Sequence, residues 1–471
     1  MLNKKILRAL FNILPYIIII LTAIIIFYPC LESFFLIDDF PHIYNAKYHF
    51  DLFTIFVSNF LSSSFYRPLT VGILFYIVHF LFKLNPLGYH IISFLIFLMN
   101  IILVHEIVKK ILHIRSAAFT AALFYVSREA HFYNNYWISA GFQHGVMTFF
   151  VLSTIFFYIV FIQREKKLYY IASFVCGMLA LISHVQALIL PLLVFLVSFM
   201  CQNHKNQLSL QKVLYKTLPF CLIELPFILR LLYLVEFHSS SKLMFSLYKF
   251  YKFDFSINRL FINMAWYINE TFNSSLELVL CSTLILFTLF FSNAKRKAFC
   301  SLIWFLVGTM TFIFSMEHFF GYFLSLSLVG LSISVTLGVI SLYEKIKVSK
   351  NIVIISLCAF LTINSYIECR STLRQVIDRE REVRSFYSYL GENFSSFPPK
   401  SLLYIKNCGM DTLWLIGHKY GIKLYYGDAI EIFFLGVTKK IPAGCKEIYY
   451  FNYHGKKLKF LRKTIEKDGD L

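Results

Sequence analysis

Charged side chains are scarce in this sequence. They account for 15% of the 471 residues, whereas hydrophobic residues account for 58%. Soluble globular domains carry about 25% charged and about 45–50% apolar residues. The apolar excess argues against a water-soluble globular protein, because only lipid can solvate that much apolar surface.

Signatures of several common enzyme classes are also missing. The chain has no P-loop, no Rossmann fingerprint, no nucleophile elbow and no HExxH motif. Its ten cysteines include no CxxC pair and no zinc-type spacing. The net charge of +19 is spread over short basic clusters between apolar runs, a pattern that orients membrane helices. We therefore expect no nucleic-acid partner.

The repeated apolar runs predict an all-α polytopic membrane protein. A spanning helix needs about 20 mostly apolar residues, and the basic residues before the first run place the N-terminus inside. The later basic clusters all fall inside only if one of the candidate spans does not cross the membrane. The 68–84 stretch is the preferred exception and 116–127 is the alternative. About eleven crossings then remain. The candidate spans lie at 11–30, 68–84, 89–108, 116–127, 145–162, 168–184, 186–201, 213–235, 276–292, 299–315, 322–343 and 351–367.

Two regions follow from this topology. Residues 1–367 form the membrane domain, whose first outer loop, 31–66, carries interfacial helices. Residues 368–471 form a small α/β domain on the outer side. Cys408 and Cys445 stand in that domain and are candidates for a disulfide, because the outer compartment tolerates disulfides.

An acidic pair, Asp38 and Asp39, follows the first apolar run without a spacer. Aspartate is costly in hydrocarbon, so both carboxylates belong at the membrane surface. One of them is a candidate general base, acceptor-orienting group or metal ligand. A solvated turn before Phe40-Pro41 is the competing interpretation and is the simpler one on local pattern alone.

Further polar residues cluster at the same face of the membrane. Arg67 opens an apolar stretch and predicts either a bidentate phosphate ligand or a snorkelling anchor. The 128–144 loop combines amides, imidazoles and aromatic rings. Such a combination is typical of a sugar-binding site, but its aromatic residues could equally form an interfacial belt. The candidate substrate-binding residues are His42, Tyr66, Arg67, His90, Arg128, Glu129, His131, Trp137, Glu317 and His318.

Three segments in order resemble the polytopic GT-C glycosyltransferases. They are IDDFPHIYN, YRPL with the following NPLGYH, and AAFTAALFYVSREAHFYNNYWIS. The resemblance covers about residues 1–340 and is closest to protein O-mannosyltransferase-like membrane enzymes. It implies a sugar donor carried on polyprenyl phosphate, a site on the outer face, and transfer usually with inversion.

The resemblance also implies roles for residues. Asp38 and Asp39 match the catalytic acidic loop, Arg67 matches the phosphate-binding cation and His90 matches the YH segment. Departures from the family occur at four places. Ser93 and Phe97 stand where this branch often has Asn and His. His184 and Gln186 occupy the usual Lys-Glu segment, Gly321 stands near the usual Arg before Tyr322, and Glu129 is a few places from the usual second acidic residue. They imply an altered lipid-phosphate site or a different substrate.

The leading hypothesis is a GT-C-fold transferase with Asp38 or Asp39 as base, Asp39 being slightly preferred. Its partners are a polyprenyl-phosphate-linked sugar, an acceptor protein, lipid or glycan, and the bilayer. No cofactor is assigned, and a divalent cation is left open. The location is a multi-pass membrane protein of a bacterial inner or plasma membrane, with the C-terminal domain extracytoplasmic. The alternative is a non-catalytic, flippase- or ligase-like protein of envelope glycan assembly.

Overall fold

A computed structural model describes residues 2–62, 66–202, 209–237, 254–292, 294–314, 320–346, 349–435, 445 and 447–465. The chain is mostly helical and ends in a small sheet, as the sequence predicts. Glu317 and His318 lie outside the described residues.

The α-helices are numbered in chain order. They are α1 Leu2–Phe27, α2 Asp39–Tyr48, α3 Asn59–Ser62, α4 Phe75–Phe82, α5 Pro86–Leu112, α6 Arg115–Val126, α7 Phe132–Tyr136, α8 Ile138–Ala140, α9 Val146–Arg164, α10 Lys167–Leu181, α11 Leu190–Met200, α12 Leu210–Phe237, α13 Ile257–Thr271, α14 Ser275–Phe291, α15 Lys295–Met310, α16 Ser327–Ile346, α17 Lys350–Asn393, α18 Met410–Leu415 and α19 His418–Tyr426. Short 3₁₀ or π-helical turns lie at Tyr28–Glu32, Thr54–Ser58, Pro68–Leu74, Glu129–His131, Gly141–Gly145, Val185–Ile189 and Gly321–Leu324.

The chain is a multi-pass integral membrane protein. Within the described ranges, five helices are long and apolar enough to cross a membrane. A sixth span is present if α13 and α14, which meet at a bend of 100°, together count as one broken span. The eleven predicted crossings are therefore not confirmed. Pro68–Phe82 is one of the apolar helices of only 10–17 residues, because polar turns divide several apolar runs of the sequence. The five long helices are Ile13–Glu32, Pro86–Leu112, Ile138–Arg164, Ser327–Lys345 and Ile352–Asn393.

Small residues let the helices of the membrane region approach closely. A Cβ on Gly308 would lie 2.3 Å from the Ser327 Oγ, and one on Gly330 would lie 2.4 Å from the Ser301 carbonyl oxygen. Lipid supplies no hydrophobic force between helices, so close van der Waals packing of this kind holds them together. It fixes α15 against α16.

Helix α17 continues for 44 residues, from Lys350 to Asn393. Residue 367, where the sequence predicts the end of a span, lies inside this helix. No proline interrupts the segment, so the backbone hydrogen bonds run on from the apolar half into the charged half.

The C-terminal unit, residues 401–465, is a four-stranded sheet with two helices. Its strands are β1 Ser401–Lys406, β2 Glu431–Phe434, β3 Glu447–His454 and β4 Lys457–Ile465. The strand order is β2-β1-β3-β4; β1 pairs in parallel with β2 and β3, and β4 pairs antiparallel with β3. This agrees with the small α/β unit expected from the sequence.

The suggested Cys408–Cys445 disulfide is not present. Strands β1 and β3 are parallel with Ser401 opposite Glu447, so Cys445 precedes one end of the pair and Cys408 follows the other. At about 3.3 Å of rise per residue the six paired residues of β1 alone separate its two ends by roughly 17 Å, whereas a disulfide requires Cα atoms within about 7 Å. The parallel register, which spacing in the sequence does not reveal, separates them.

Candidate active site

Asp39 is a buried structural anchor in the first turn of α2. Its Oδ2 accepts a hydrogen bond from the Leu36 backbone N–H at 2.9 Å, and its Oδ1 accepts bonds from the Ser139 N–H at 2.8 Å and Oγ at 2.6 Å. Burial raises the pKa of Asp39 to about 7, although these three donors lower it. The side chain joins the first loop to α8.

Asp38 has a different environment, although it is the adjacent residue. It precedes α2 but makes no side-chain capping bond, and it is half-buried. Across the described ranges its carboxylate accepts no hydrogen bond. Burial raises the pKa of Asp38, and the nearby Arg67 guanidinium lowers it. Its carboxylate is thus available to a bound molecule and lies within the field of a cation.

Arg67 stands immediately before the π-helical turn Pro68–Leu74 and is half-buried. Its guanidinium donates to the Gln143 Oε1. The Gln143 Nε2 lies 3.5 Å from the His42 Nε2. Burial and the charge of Arg67 lower the pKa of His42 to about 3. The imidazole is therefore neutral at ordinary pH, and Arg67 is the cation that acts on both Asp38 and His42.

His144, the residue that follows Gln143, belongs to an imidazole cluster. The rings of His144 and His184 are 4.2 Å apart, and the His144 ring stacks on Tyr322 at 4.6 Å. Gln186 donates to the carbonyl oxygens of Gly308 and Phe323. The His184–Gln186 segment and the Tyr322–Phe323 segment therefore meet beside His144.

A cavity of about 260 Å³ opens beside Arg67. One wall is the C-terminal half of α2 and the other is the start of the Pro68–Leu74 turn. Its surface combines apolar groups with amide, imidazole and hydroxyl groups, as small-ligand pockets do. The lining residues are Asn45, Ala46, His49, Phe50, Thr54, Ile55, Asn59, Arg67, Pro68, Val71 and Gly72.

The structure does not bring Arg128 to this pocket. Arg128 is fully buried and forms an ion pair with Glu277. Its guanidinium lies 4.1 Å from the Phe124 ring centre and donates to the Thr271 carbonyl oxygen at 3.4 Å. The neighbouring Glu129 accepts a hydrogen bond from Thr372. These two side chains tie α6 to α14 and α17.

Two further histidines predicted from the sequence are also enclosed. The Nδ1 of His90 lies 3.2 Å from the Asn135 carbonyl oxygen. His131 is packed between the rings of Phe97 and Tyr125, at 5.0 and 4.4 Å. Both side chains are buried.

Tyr66 and Trp137 are not among the residues that line the described cavity. The Tyr66 hydroxyl donates to the Phe56 carbonyl oxygen at 3.1 Å. The Trp137 ring is 6.0 Å from that of Tyr322, so it adjoins the imidazole cluster.

Ser139 and Gln143 are not among the residues selected from the sequence. They are four positions apart, so a helical backbone places both on one face. Ser139 contacts Asp39 and Gln143 contacts Arg67. That spacing within a polar outer loop was the available signal, and only the packing of the loop against α2 identifies its partners.

A metal site is not formed by the part of the chain that the structure describes. Within it, no group of three or more His, Cys, Asp or Glu side chains is placed to hold a metal ion.

Comparison with solved structures finds a similar fold, and it agrees with the GT-C fold that the resemblance predicted. The structure of ArnT from Cupriavidus metallidurans bound to undecaprenyl phosphate matches with a TM-score of 0.58 and 12% identity, over 93% of this chain and 92% of that one. The apo ArnT structure gives 0.58 and 11%, with the same coverage. At such identities the likeness concerns the fold alone.

The oligosaccharyltransferase of Archaeoglobus fulgidus in the apo form gives a TM-score of 0.49 and 9% identity, over 90% of this chain and 64% of that one. No family model and no curated protein matches the sequence.

Proposed function

We propose that this protein is a glycosyltransferase that moves a sugar from a polyprenyl-phosphate donor to an acceptor on the extracytoplasmic face. The GT-C fold supports the class of reaction. The similar ArnT structure binds undecaprenyl phosphate, which supports a polyprenyl-phosphate ligand here.

The observation that carries the proposal is the pairing of Asp38 with Arg67. A half-buried carboxylate without a hydrogen bond in the described structure lies in the field of an arginine at the edge of a cavity. A base and a phosphate-binding cation must stand on either side of the reacting carbon in a transfer of this kind. Asp38 meets this requirement better than Asp39, whose two oxygens are already occupied by Leu36 and Ser139.

In the proposed reaction Asp38 accepts the proton of the acceptor nucleophile. The nucleophile forms a bond to the anomeric carbon while the bond from that carbon to the phosphate oxygen breaks. The electron pair of the broken bond stays on the polyprenyl phosphate, and the Arg67 guanidinium stabilises this developing charge. Attack opposite the leaving phosphate gives inversion. Asp39 holds the loop, and Gln143 holds Arg67 in position.

The test is a transfer assay in proteoliposomes. Donor lipids extracted from source cells grown on labelled sugar supply the substrate, and loss of label from the polyprenyl fraction measures transfer. We expect Asp38→Asn to reduce the rate about 10²–10⁴-fold, the usual contribution of a general base. Asp38→Asn with full activity would show that Asp38 is not the base.

Binding of undecaprenyl phosphate provides an independent measurement that does not depend on the sugar. Arg67→Gln should weaken binding, because a fixed guanidinium matches phosphate geometry and an amide does not. Arg164→Gln is the matched control, since this exposed arginine lies at the far end of α9, about 30 Å along the helix. Equal binding by wild type and Arg67→Gln would reject the phosphate role.

A further inference from the structure

The first outer loop is strained where it enters the acidic pair. Ile37 has φ +48°, a left-handed conformation that is an outlier for a β-branched side chain and that persists only where the surrounding structure enforces it. Ile37 is the residue before Asp38. Its backbone N–H donates to the Leu415 carbonyl oxygen at 3.2 Å, so the C-terminal unit supplies the bond that holds it.

Phe40 continues this contact. It is fully buried, and its ring lies 5.1 Å from that of Tyr387 on α17. The Tyr387 hydroxyl in turn donates to the Ile416 carbonyl oxygen at 2.6 Å. Gly417 lies directly against Phe40, and a Cβ on Gly417 would come within 2.4 Å of the Phe40 Cβ. Only a glycine fits there.

The far half of α2 is held by the same unit. The Lys47 Nζ donates to the Leu424 carbonyl oxygen at 3.0 Å, and the Tyr44 hydroxyl donates to Asp428. The Tyr44 ring also lies 5.2 Å from that of Tyr420. Helix α2 is therefore held along its length by α19 and the residues that flank it.

We propose that Gly417 and Phe40 are positioning residues for Asp38, and that the C-terminal unit sets the orientation of the acidic loop. This inference rests on the proposed function of Asp38. The Asp38 side chain makes no hydrogen bond in the described structure, although its backbone carbonyl oxygen accepts one from the His42 N–H at 3.2 Å. The position of the carboxylate therefore depends on the backbone at Ile37 and on the packing of Phe40. Moving Phe40 moves Asp38 relative to Arg67.

Gly417→Ala tests the contact. The added Cβ meets Phe40, and we expect kcat for transfer to fall about 10- to 100-fold, the loss that a displacement of about 1 Å produces in a catalytic group. The affinity for undecaprenyl phosphate should stay unchanged, because Arg67 is not touched. A wild-type kcat in Gly417→Ala would overturn the inference.

Gly455→Ala is the control for backbone strain. Gly455 also has positive φ, +58° against +72° for Gly417, but a Cβ there meets nothing within 4 Å. It should keep the wild-type kcat. Adding Phe40→Leu to Gly417→Ala makes room for the methyl group and should restore part of the rate. If Gly417→Ala and Gly455→Ala lose rate equally, strain and not the Phe40 contact is responsible.

Hydrogen exchange separates a failure of this inference from a failure of the proposed function. Gly417→Ala should speed amide exchange in the peptide covering residues 36–48, and Gly455→Ala should not. This readout needs no substrate. If the wild-type protein transfers no sugar, the proposed function fails while the exchange result still decides whether Gly417 holds the loop; unchanged exchange would refute the contact.

Discussion

Asp38 and Asp39 illustrate how two adjacent, identical residues acquire different chemistry. Asp39 is surrounded by donors from Leu36 and Ser139, so it serves structure. Asp38 is half-buried beside the charge of Arg67. The sequence left the choice between them open, with a slight preference for Asp39, and the hydrogen bonds of Asp39 are the reason that we now propose Asp38.

The pH dependence of transfer should report on Asp38. Burial raises the pKa of Asp38 above 3.8, the ordinary value for aspartate, so the rate should fall with decreasing pH through a midpoint above that value. Arg67 lowers that pKa, and Arg67→Gln should therefore move the acidic limb to higher pH. A rate–pH profile of both proteins measures this. An acidic limb that stays in place in Arg67→Gln would show that the charge of Arg67 does not act on the base.

Asp39 should affect stability as well as the position of the loop. Asp39→Asn places an amide N–H₂ against backbone or hydroxyl donors, and one unsatisfied buried donor costs about 1–3 kcal/mol. Thermal unfolding in detergent below the pKa of Asp39, where the wild-type side chain contributes most to stability, should show a lower midpoint for Asp39→Asn. Asp51→Asn, which keeps an oxygen for the Thr54 N–H, should leave the midpoint unchanged.

The raised pKa of Asp39 also gives stability a pH dependence. The folded state binds the Asp39 proton more tightly than the unfolded state, in which the pKa of aspartate has its ordinary value of 3.8. The stabilisation that Asp39 contributes is therefore fully present below pH 3.8 and is lost as pH rises through about 7. Wild-type stability should decline over this window, and Asp39→Asn should flatten the decline. An equally steep decline in Asp39→Asn would assign it to another group.

At the scale of elements, buried polar contacts join the helices around the site. The Arg128–Glu277 ion pair connects the end of α6 to α14, and Asn364 of α17 donates to the Glu277 Oε2 at 3.1 Å. From the sequence, Arg128 stood in a loop rich in polar and aromatic groups and was a candidate for substrate binding. Its burial gives it a structural environment instead, which local composition does not reveal.

Removing one partner of the ion pair should destabilise the bundle strongly. Arg128→Met leaves Glu277 buried without its cation, which costs about 3–5 kcal/mol. Arg128→Met with Glu277→Gln should recover most of this loss, because the amide oxygen still accepts from Asn364 without a charge. Thermal unfolding of the two variants gives the comparison. A double variant as unstable as Arg128→Met would mean that lost packing, and not the unpaired charge, is the cause.

At the scale of the whole molecule, the C-terminal unit and the acidic loop belong to one face. Ile37, just before α2, contacts Leu415, and α2 itself contacts Gly417 and Leu424. These contacts require the described part of the C-terminal unit to be on the same side of the membrane as Asp38. We propose that this side is extracytoplasmic, from the basic residues before α1. We also retain the division into 1–367 and 368–471 as a proposal, with α17 continuous across it.

A topology measurement tests the face. Alkaline phosphatase fused after the C-terminus should be active, since it folds only outside, and green fluorescent protein at the same position should be dark. Fusions placed in the basic loop between α9 and α10, near Lys166, should give the opposite pair of results. A fluorescent C-terminal fusion would place both the unit and Asp38 inside and would contradict the proposed site.

Much of the membrane architecture is determined by the sequence alone. Apolar run length, basic clusters and the ordered IDDFPHIYN and YRPL segments predict a polytopic membrane protein, and the structure confirms the GT-C fold that these segments imply. These predictions are possible because the length of an apolar run and the basic residues beside it are local properties of the chain, and the bilayer responds to both. The number of spans was less predictable, because where polar turns end a helix depends on neighbouring helices.

Tertiary structure alone decided which side chains meet. Ser139 with Asp39, Gln143 with Arg67, and Gly417 with Phe40 are contacts between distant segments, and no local pattern encodes them. The parallel register that separates Cys408 from Cys445 is a second case. In each of them the physical reason is the same: burial, strand register and hydrogen-bond partners depend on long-range packing, whereas hydrophobicity and charge are carried by each residue itself.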